Sequence, residues 1–280
     1  MAQILSGKEV AAAITENTRQ KADAMRAAGR PAHLRVIRVG DKKSDLAYEK
    51  GIRKRSEAAG VDLSVDALPE DATFEDVKRA IERANADWRV KGVLLFLPLP
   101  KALDEKKLVN FIAPEKDLDG ATDISMLGVY KGTGAGFPPC TPEAVVRILD
   151  YYGIEISGKD VVIVGRSLVV GKPLAQMLIA RNATVTTCHT KTVDLAKKTA
   201  GADILISAAG HRGTIRAEHV REGQVVIDVG INFDDTGKMT GDVEYEEVKN
   251  IVSAITPVPG GVGSVTNAVL LAHICEGKVR

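Results

Sequence analysis

Residues 161–175, VVIVGRSLVVGKPLA, have the types and spacing to hold an anion. Residues 161–164 are apolar and β-branched, the pattern of a buried parallel strand. Gly165 ends that strand, and Pro173 suits the first turn of a helix. A strand, a glycine turn and a helix N-terminus bring free backbone N–H groups and a positive helix end to one point, where a phosphate can sit. The general dinucleotide spacing is G-x-G-x-x-G. Here Gly165 fills its first position, Ser167 and Val170 the other two, and the next glycine is Gly171. Taken alone, the stretch is equally an ordinary strand–turn–helix corner.

Other chemistry is restricted by composition. The three cysteines, Cys140, Cys188 and Cys275, are odd in number and far apart, which suits reduced thiols. The five histidines show no metal-ligand spacing, so no metal site is expected. A formal charge of +1 offers no electrostatic case for nucleic acid or an anionic membrane. No apolar run approaches the ~18 residues of a membrane span. The N-terminus, MAQILSGKEV, lacks a basic-then-apolar signal pattern, which predicts a cytoplasmic protein.

The elements that must position these residues alternate. Ser6 and Glu9 stand at capping-box spacing before a helix to about residue 28. Strands are expected at 33–39, 61–68 and 92–97, with helices at 44–59 and, capped by Thr73, to about residue 88. Pro98 and Pro100 stop the third strand. Residues 114–139 read as loop, with five glycines and little periodicity. Thr141 and Pro142 suit the N-cap and first turn of a helix to residue 152, a candidate domain connector. Strands then fall at 161–164, 184–187, 203–207 and 224–228, with helices at 173–181 and near 193–200. A last helix, about 265–276, follows ITPVPGGVG and has no strand left to cover. The pattern predicts an α/β protein of two domains with parallel sheets, the last helix returning to the first domain. The expected division is 1–141, 142–264 and 265–280.

In this order the motifs are similar to those of the bifunctional methylenetetrahydrofolate dehydrogenase/cyclohydrolases. The helix from Tyr48 to Gly60, GVLLFLPLP, PEKDLDG, PCTP, GRSLVVGKP, DVGIN, GDV and TPVPGGVG cover nearly the whole chain. The resemblance implies an N-terminal α/β substrate domain and a C-terminal Rossmann-like dinucleotide-binding domain. It implies a reduced folate as substrate, hydride transfer to NAD(P)+, hydration of the methenyl product, and a homodimer through the cofactor domain. Asp119 matches the pterin-binding aspartate; one carboxylate can accept the adjacent amino and ring N–H groups of a pterin. Tyr48 and Leu97 match residues lining the folate site, and Pro259, Gly260, Gly263 and Thr266 a folate-contacting loop. On the cofactor side the matches are Gly165, Arg166, Ser167, Gly171, Pro173, His189, Thr190, Gly210, Gly230 and Ile231. Cys140, with no His or acid assigned beside it, is not expected to act as a nucleophile.

Three positions depart from the pattern. Ile52 stands where the family has a catalytic lysine, Phe96 where a glutamine supports that lysine, and Asp45 where a serine stands. Hydride transfer needs positioning and no protein proton acceptor. Hydration of the methenyl carbon needs a polar group to guide water and move protons. The expected activity is therefore a dehydrogenase with weak or absent cyclohydrolase. Alternatives stand beside it: a bifunctional enzyme with a base relocated to Lys50, Lys54 or Arg55 through a distortion at Gly51; a folate- or dinucleotide-binding protein without catalysis; and a dehydrogenase for another one-carbon carrier. For the cofactor, the second Rossmann strand is followed by Cys188, His189, Thr190 and Lys191, with no acid before Asp194 to hold ribose hydroxyls. Arg166 with Thr190 suits the 2′-phosphate of NADP, with NAD the alternative.

Overall fold

The computed structural model describes residues 2–277. In chain order it runs β1 (Gln3–Ile4), α1 (Gly7–Ala27), β2 (His33–Val39), α2 (Lys43–Ala58), β3 (Asp62–Leu68), α3 (Phe74–Ala86), β4 (Gly92–Leu95), α4 (Glu105–Val109), α5 (Asp123–Lys131) and α6 (Cys140–Tyr151). It continues with β5 (Asp160–Val164), α7 (Gly171–Ile179), β6 (Thr184–Cys188), α8 (Leu195–Ala200), β7 (Ile204–Ser207), β8 (Val225–Asp228), β9 (Asn232–Phe233), β10 (Met239–Thr240), α9 (Tyr245–Val248), β11 (Ala254–Ile255) and α10 (Val262–Glu276). The chain divides into two compact units: Ala12–Cys140 with the segment from Asn267, and Thr141–Thr266 with the N-terminal segment to Ala11. No helix among the described residues is long and apolar enough to cross a membrane.

The first unit is built on a parallel sheet of order β3-β2-β4. All four residues of β4 are buried. One core cluster joins Ile37 and Val39 of β2 to Val77 and Ile81 of α3 and Val93 and Leu95 of β4. Thr73 caps α3 in a full capping box with Asp76. Helix α2 is anchored more thinly. It buries Ile52 and Ser56, and Glu49 is tied to Arg38 of β2 at 2.9 Å. Beyond β4, Asp117 forms an isolated parallel bridge to Val93, which fixes the PEKDLDG loop against the sheet.

That loop region departs from expectation. Residues 123–131 form α5, capped by Thr122 and ended by Gly132 in the left-handed conformation. Its helical signal is hidden because the usual pattern is reversed: Ile124, Leu127 and Tyr130 are exposed, while Ser125 and Gly128 are buried. Helix α6 begins at Cys140, so Thr141 lies inside its first turn and does not cap it.

The second unit has a six-stranded parallel sheet of order β1-β11-β8-β7-β5-β6. Chain order reverses at β5, whose neighbours are β6 and β7; ligands of such sheets bind beyond the carboxyl ends of the strands at this point. The N-terminal residues belong here, because β1 pairs with β11. A two-residue strand has no period for the sequence to reveal, and the same holds for the β9–β10 hairpin.

Candidate active site

The turn between β5 and α7 is made of backbone. Gly165 has φ +137°, and a Cβ there would stand 2.2 Å from the Ala208 carbonyl oxygen at the end of the neighbouring strand. A Cβ on Gly171 would lie 2.1 Å from the Gly165 carbonyl oxygen. The two glycines thus replace the more widely known triple-glycine spacing, letting β5 and α7 close on each other. Ser167 turns the chain inward: its Oγ accepts from Val170 N at 3.1 Å and its carbonyl from Lys172 N at 3.0 Å. Val170 at the N-cap supplies no side-chain hydrogen bond to the start of α7, and Pro173 is buried in its first turn. Exposed Arg166 makes no ion pair among the described residues.

Two buried aspartates set the facing loops. Asp228 accepts from Gly230 N at 2.9 Å, Asp242 N at 3.0 Å and Val243 N at 3.0 Å. Asp242 accepts from Ala209 N at 2.7 Å, Gly210 N at 3.1 Å and Asn232 Nδ2 at 2.9 Å. The loops after β7 and β8, carrying Gly210, Gly230 and Ile231, are therefore held by side chains that the DVGIN and GDV motifs supply. Burial, with Asp242 alongside, pushes the Asp228 carboxyl up to about 7 against its backbone donors.

Beyond β6 lies a cavity of about 680 Å³ lined by residues 186–189, by residues 191–194 and by Lys197 and Lys198. His189 N donates to Thr192 Oγ1 at 2.8 Å and His189 Nδ1 accepts from Lys191 N at 3.1 Å. Three lysines face one acid, Asp194, in that lining. Arg166 and Thr190 are not part of it. Lys197 and Lys198 carry no signal in the sequence because they sit on α8, a turn beyond the motif. The uncapped helix start, the close-packed glycine pair and the basic cavity suit a dinucleotide.

Pro259, Gly260, Gly263 and Thr266 lie in this second unit. A Cβ on Gly263 would stand 3.9 Å from Ile231 Cδ1, so the DVGIN and PGGVG loops meet there.

In the first unit, Tyr48, Phe96, Leu97 and Asp119 come together in a pocket of about 430 Å³, with Ser44, Asp45, Leu94, Leu95 and Pro98 completing its lining. The Tyr48 and Phe96 rings are 5.1 Å apart between centroids and tilted by 52°. Tyr48 Oη donates to Asn267 Oδ1 at 3.1 Å, a partner 219 residues away that carries no motif. Burial pushes the Tyr48 phenol up to about 12, helped by Asp119 and opposed by Arg55. Asp119 is exposed to the pocket, yet loss of solvent around it pushes its carboxyl up to about 6, with Asp117 adding repulsion. The two aspartates of PEKDLDG divide the work. Asp117, 1% exposed, binds its own loop, accepting from Thr122 N at 2.8 Å and Ser125 Oγ at 2.6 Å. Asp119 is left facing the pocket.

Ile52 is a correction. It is wholly buried and is not part of the pocket wall. An apolar side chain one turn from Tyr48 turns into the core, where a lysine would have reached for the pocket. Helix α2 runs unbroken through Gly51, and Lys50 and Lys54 are outside the pocket lining. Cys140 is also less isolated than expected. Its thiol donates to the Leu118 carbonyl at 3.2 Å, it lies close enough to Asp119 to favour that group's charged form, and His273 Nδ1 lies 4.0 Å from its sulfur. His273 Nδ1 itself binds the Leu118 carbonyl at 2.7 Å, and its ring stacks on Phe137 at 4.8 Å. This buried cluster pins the backbone beside Asp119.

Two family models cover the chain: the catalytic domain of tetrahydrofolate dehydrogenase/cyclohydrolase over residues 5–119, and its NAD(P)-binding domain over residues 139–280. The chain belongs to the tetrahydrofolate dehydrogenase/cyclohydrolase family. A relative from Alkaliphilus metalliredigens, the bifunctional protein FolD, is 46% identical over 99% of this chain and 97% of its own. The bifunctional FolD methylenetetrahydrofolate dehydrogenase/cyclohydrolase of Campylobacter jejuni superposes with a TM-score of 0.95 at 40% identity, over 99% of this chain and 98% of that one. The Trypanosoma brucei FolD, solved with NADP cofactor and an inhibitor, matches at TM-score 0.89 and 34% identity, over 98% and 96% of the two chains. Within a tetrahydrofolate dehydrogenase/cyclohydrolase, the second unit is the NAD(P)-binding domain and the first the catalytic domain.

Proposed function

We propose that this protein is a 5,10-methylenetetrahydrofolate dehydrogenase using NADP, with cyclohydrolase activity weak or absent. The observation that carries the reading is the wall around Tyr48: Phe96 packs on its ring, Ile52 is lost to the core, and no Lys, Arg, His, Asn or Gln is among the residues lining the pocket. Bound NADP+ would supply the hydride acceptor. Asp119 accepts the pterin N–H groups, Tyr48 orients the one-carbon unit, and the apolar wall of Phe96 and Leu97 keeps water from the methenyl carbon. None of these residues needs to move a proton during hydride transfer. Hydration would need one that can, and general acid–base assistance is typically worth about 10²–10⁴-fold. Arg55, the cation coupled to Tyr48, does not serve as a base, because a guanidinium does not deprotonate in proteins.

The choice of NADP is supported by the three lysines in the β6 cavity; Arg166, exposed just after Gly165 and outside that lining, is the further candidate for the 2′-phosphate. The homodimer belongs to the same reading, and Phe233, 65% exposed on the β9–β10 hairpin, is its candidate contact. The test follows reduced cofactor and methenyl absorbance together, starting from methylenetetrahydrofolate with NADP+ or NAD+. Methenyl product should accumulate, faster with NADP+. Arg166→Ala should raise the KM for NADP+ about tenfold, the scale of one charge-assisted hydrogen bond, and that for NAD+ little. Folate binding without any reduced cofactor would favour a binding protein, and a preference for NAD+ would remove Arg166 from a 2′-phosphate site.

A further inference from the structure

The charge of the pocket is as distinctive as its shape. Its charged lining groups are two carboxylates, Asp45 and Asp119, with no basic side chain in the lining. Two aromatic rings, Tyr48 and Phe96, share that lining, and ring faces attract cations through their quadrupoles. Arg55 lies back over Gly51, its Nη1 2.8 Å from where a Cβ would stand, and is not a lining residue. Ser44 Oγ donates to Asp45 Oδ1 at 3.0 Å and orients that carboxylate. Asp45 also stands in the first turn of α2, where an acid is favoured by the helix dipole. The dipole accounts for an acid in that turn; it does not require the carboxylate to line the pocket.

We propose that this pocket selects by charge, binding the cationic methenyl product more tightly than the neutral methylene substrate, with Asp45 as the specificity-determining residue. This rests on the dehydrogenase reading. In that reaction the methylene C–H bond breaks and its hydrogen leaves with both electrons to NADP+, which becomes NADPH. A nitrogen lone pair closes the C=N bond, and the folate gains one positive charge spread over N–C–N. The charge therefore appears on the group that Asp45 and the ring pair surround. An ionised carboxylate near a partly screened unit charge favours the cation by about tenfold in affinity. The same selectivity would hold the product in a wall that excludes water.

The experiment first confirms that wild-type protein forms NADPH from methylenetetrahydrofolate; failure there removes the dehydrogenase reading and is separate from the charge test. Dissociation constants for methenyl- and methylenetetrahydrofolate are then measured without dinucleotide on wild type, Asp45→Asn and Asp45→Glu. Wild type should prefer the methenyl form. Asp45→Asn should erase about tenfold of that preference through the methenyl constant, with the methylene constant within about twofold, and Asp45→Glu should restore it. An equal loss for both ligands, or an unchanged preference, overturns the proposal. Should Asp45→Asn fail to fold, the wild-type preference is read between about 0.05 and 0.5 M KCl, a range over which screening of a charge pair changes strongly. A preference that does not weaken with salt overturns it equally.

Discussion

The glycine turn after β5 and the Tyr48 pocket are made of different material. The turn is backbone: its shape comes from Gly165 and Gly171 packed against carbonyl oxygens, and from Asp228 and Asp242 holding the neighbouring loops from beneath. The pocket is side chain: Tyr48, Phe96, Asp45 and Asp119 supply both its walls and its charge. A backbone site tolerates almost any residue that leaves the path of the chain unchanged, so its chemistry persists. A side-chain site changes its chemistry with one or two substitutions while the fold stays the same. Hydride transfer relies on placement, and hydration relies on particular proton-handling groups.

The harshest way to break this contrast is at the turn. Gly171→Ala places a Cβ 2.1 Å from the Gly165 carbonyl oxygen, so the strand and helix must separate. Dinucleotide affinity should fall about a hundredfold or more, on the scale of the 1–3 kcal/mol or greater cost of overpacking, while folate affinity changes little. Calorimetric titration of each ligand checks this; equal losses on both would mean the units do not bind independently.

The next effect sharpens the pocket side. Asp119 is held at about 6 in the free protein by loss of solvent. Below that pH it is neutral and one oxygen no longer accepts, so kcat/KM for the folate should fall about tenfold per pH unit. Asp119→Asn should be slow and flat across the same range. The linkage has the opposite sign for stability. A carboxyl raised in the folded state contributes most below its unfolded value and loses that contribution as pH rises through about 6. Asp119→Asn should therefore melt higher than wild type at neutral pH, with the gap closing below pH ~4. A variant that melts lower at neutral pH would contradict the desolvated carboxylate.

The sequence shows some of these parts and conceals others for physical reasons. Strands β4, β5 and β7 carry near-continuous apolar runs because both faces of a parallel sheet are covered, and the Thr73 cap is visible from its acid three residues on. Helix α5 is concealed because its apolar side chains face outward and its small residues inward. Motif spacing identifies Asp119 and Gly165. It cannot reveal that Asn267 receives the Tyr48 hydroxyl or that His273 lies beside Cys140, since those partners are 219 and 133 residues away. The substitution of Ile52 is legible, but its consequence is not: only the packing shows that the side chain leaves the pocket altogether.

A smaller effect tests whether hydration can be strengthened at this pocket. Ile52→Lys alone starts its chain at a buried position, and if its ammonium reached the pocket wall at Phe96 it would lack a partner and lose proton affinity. Ile52→Lys with Phe96→Gln should gain several-fold more methenyl hydrolysis than the two single changes combined, as coupled neighbours do. Simple additivity in the hydrolysis rates would place the two positions in separate environments.

If the wall around Tyr48 no longer handles water, methenyltetrahydrofolate should outlast its encounter with the protein. Its absorbance decay is followed with and without wild-type protein, in a buffer that does not itself catalyse hydration. The expected decay stays within a few-fold of the spontaneous rate, and methenyl product accumulates during turnover. Acceleration by about a hundredfold or more, the lower bound for general acid–base assistance, would show that the pocket still hydrates its product and would overturn the assignment.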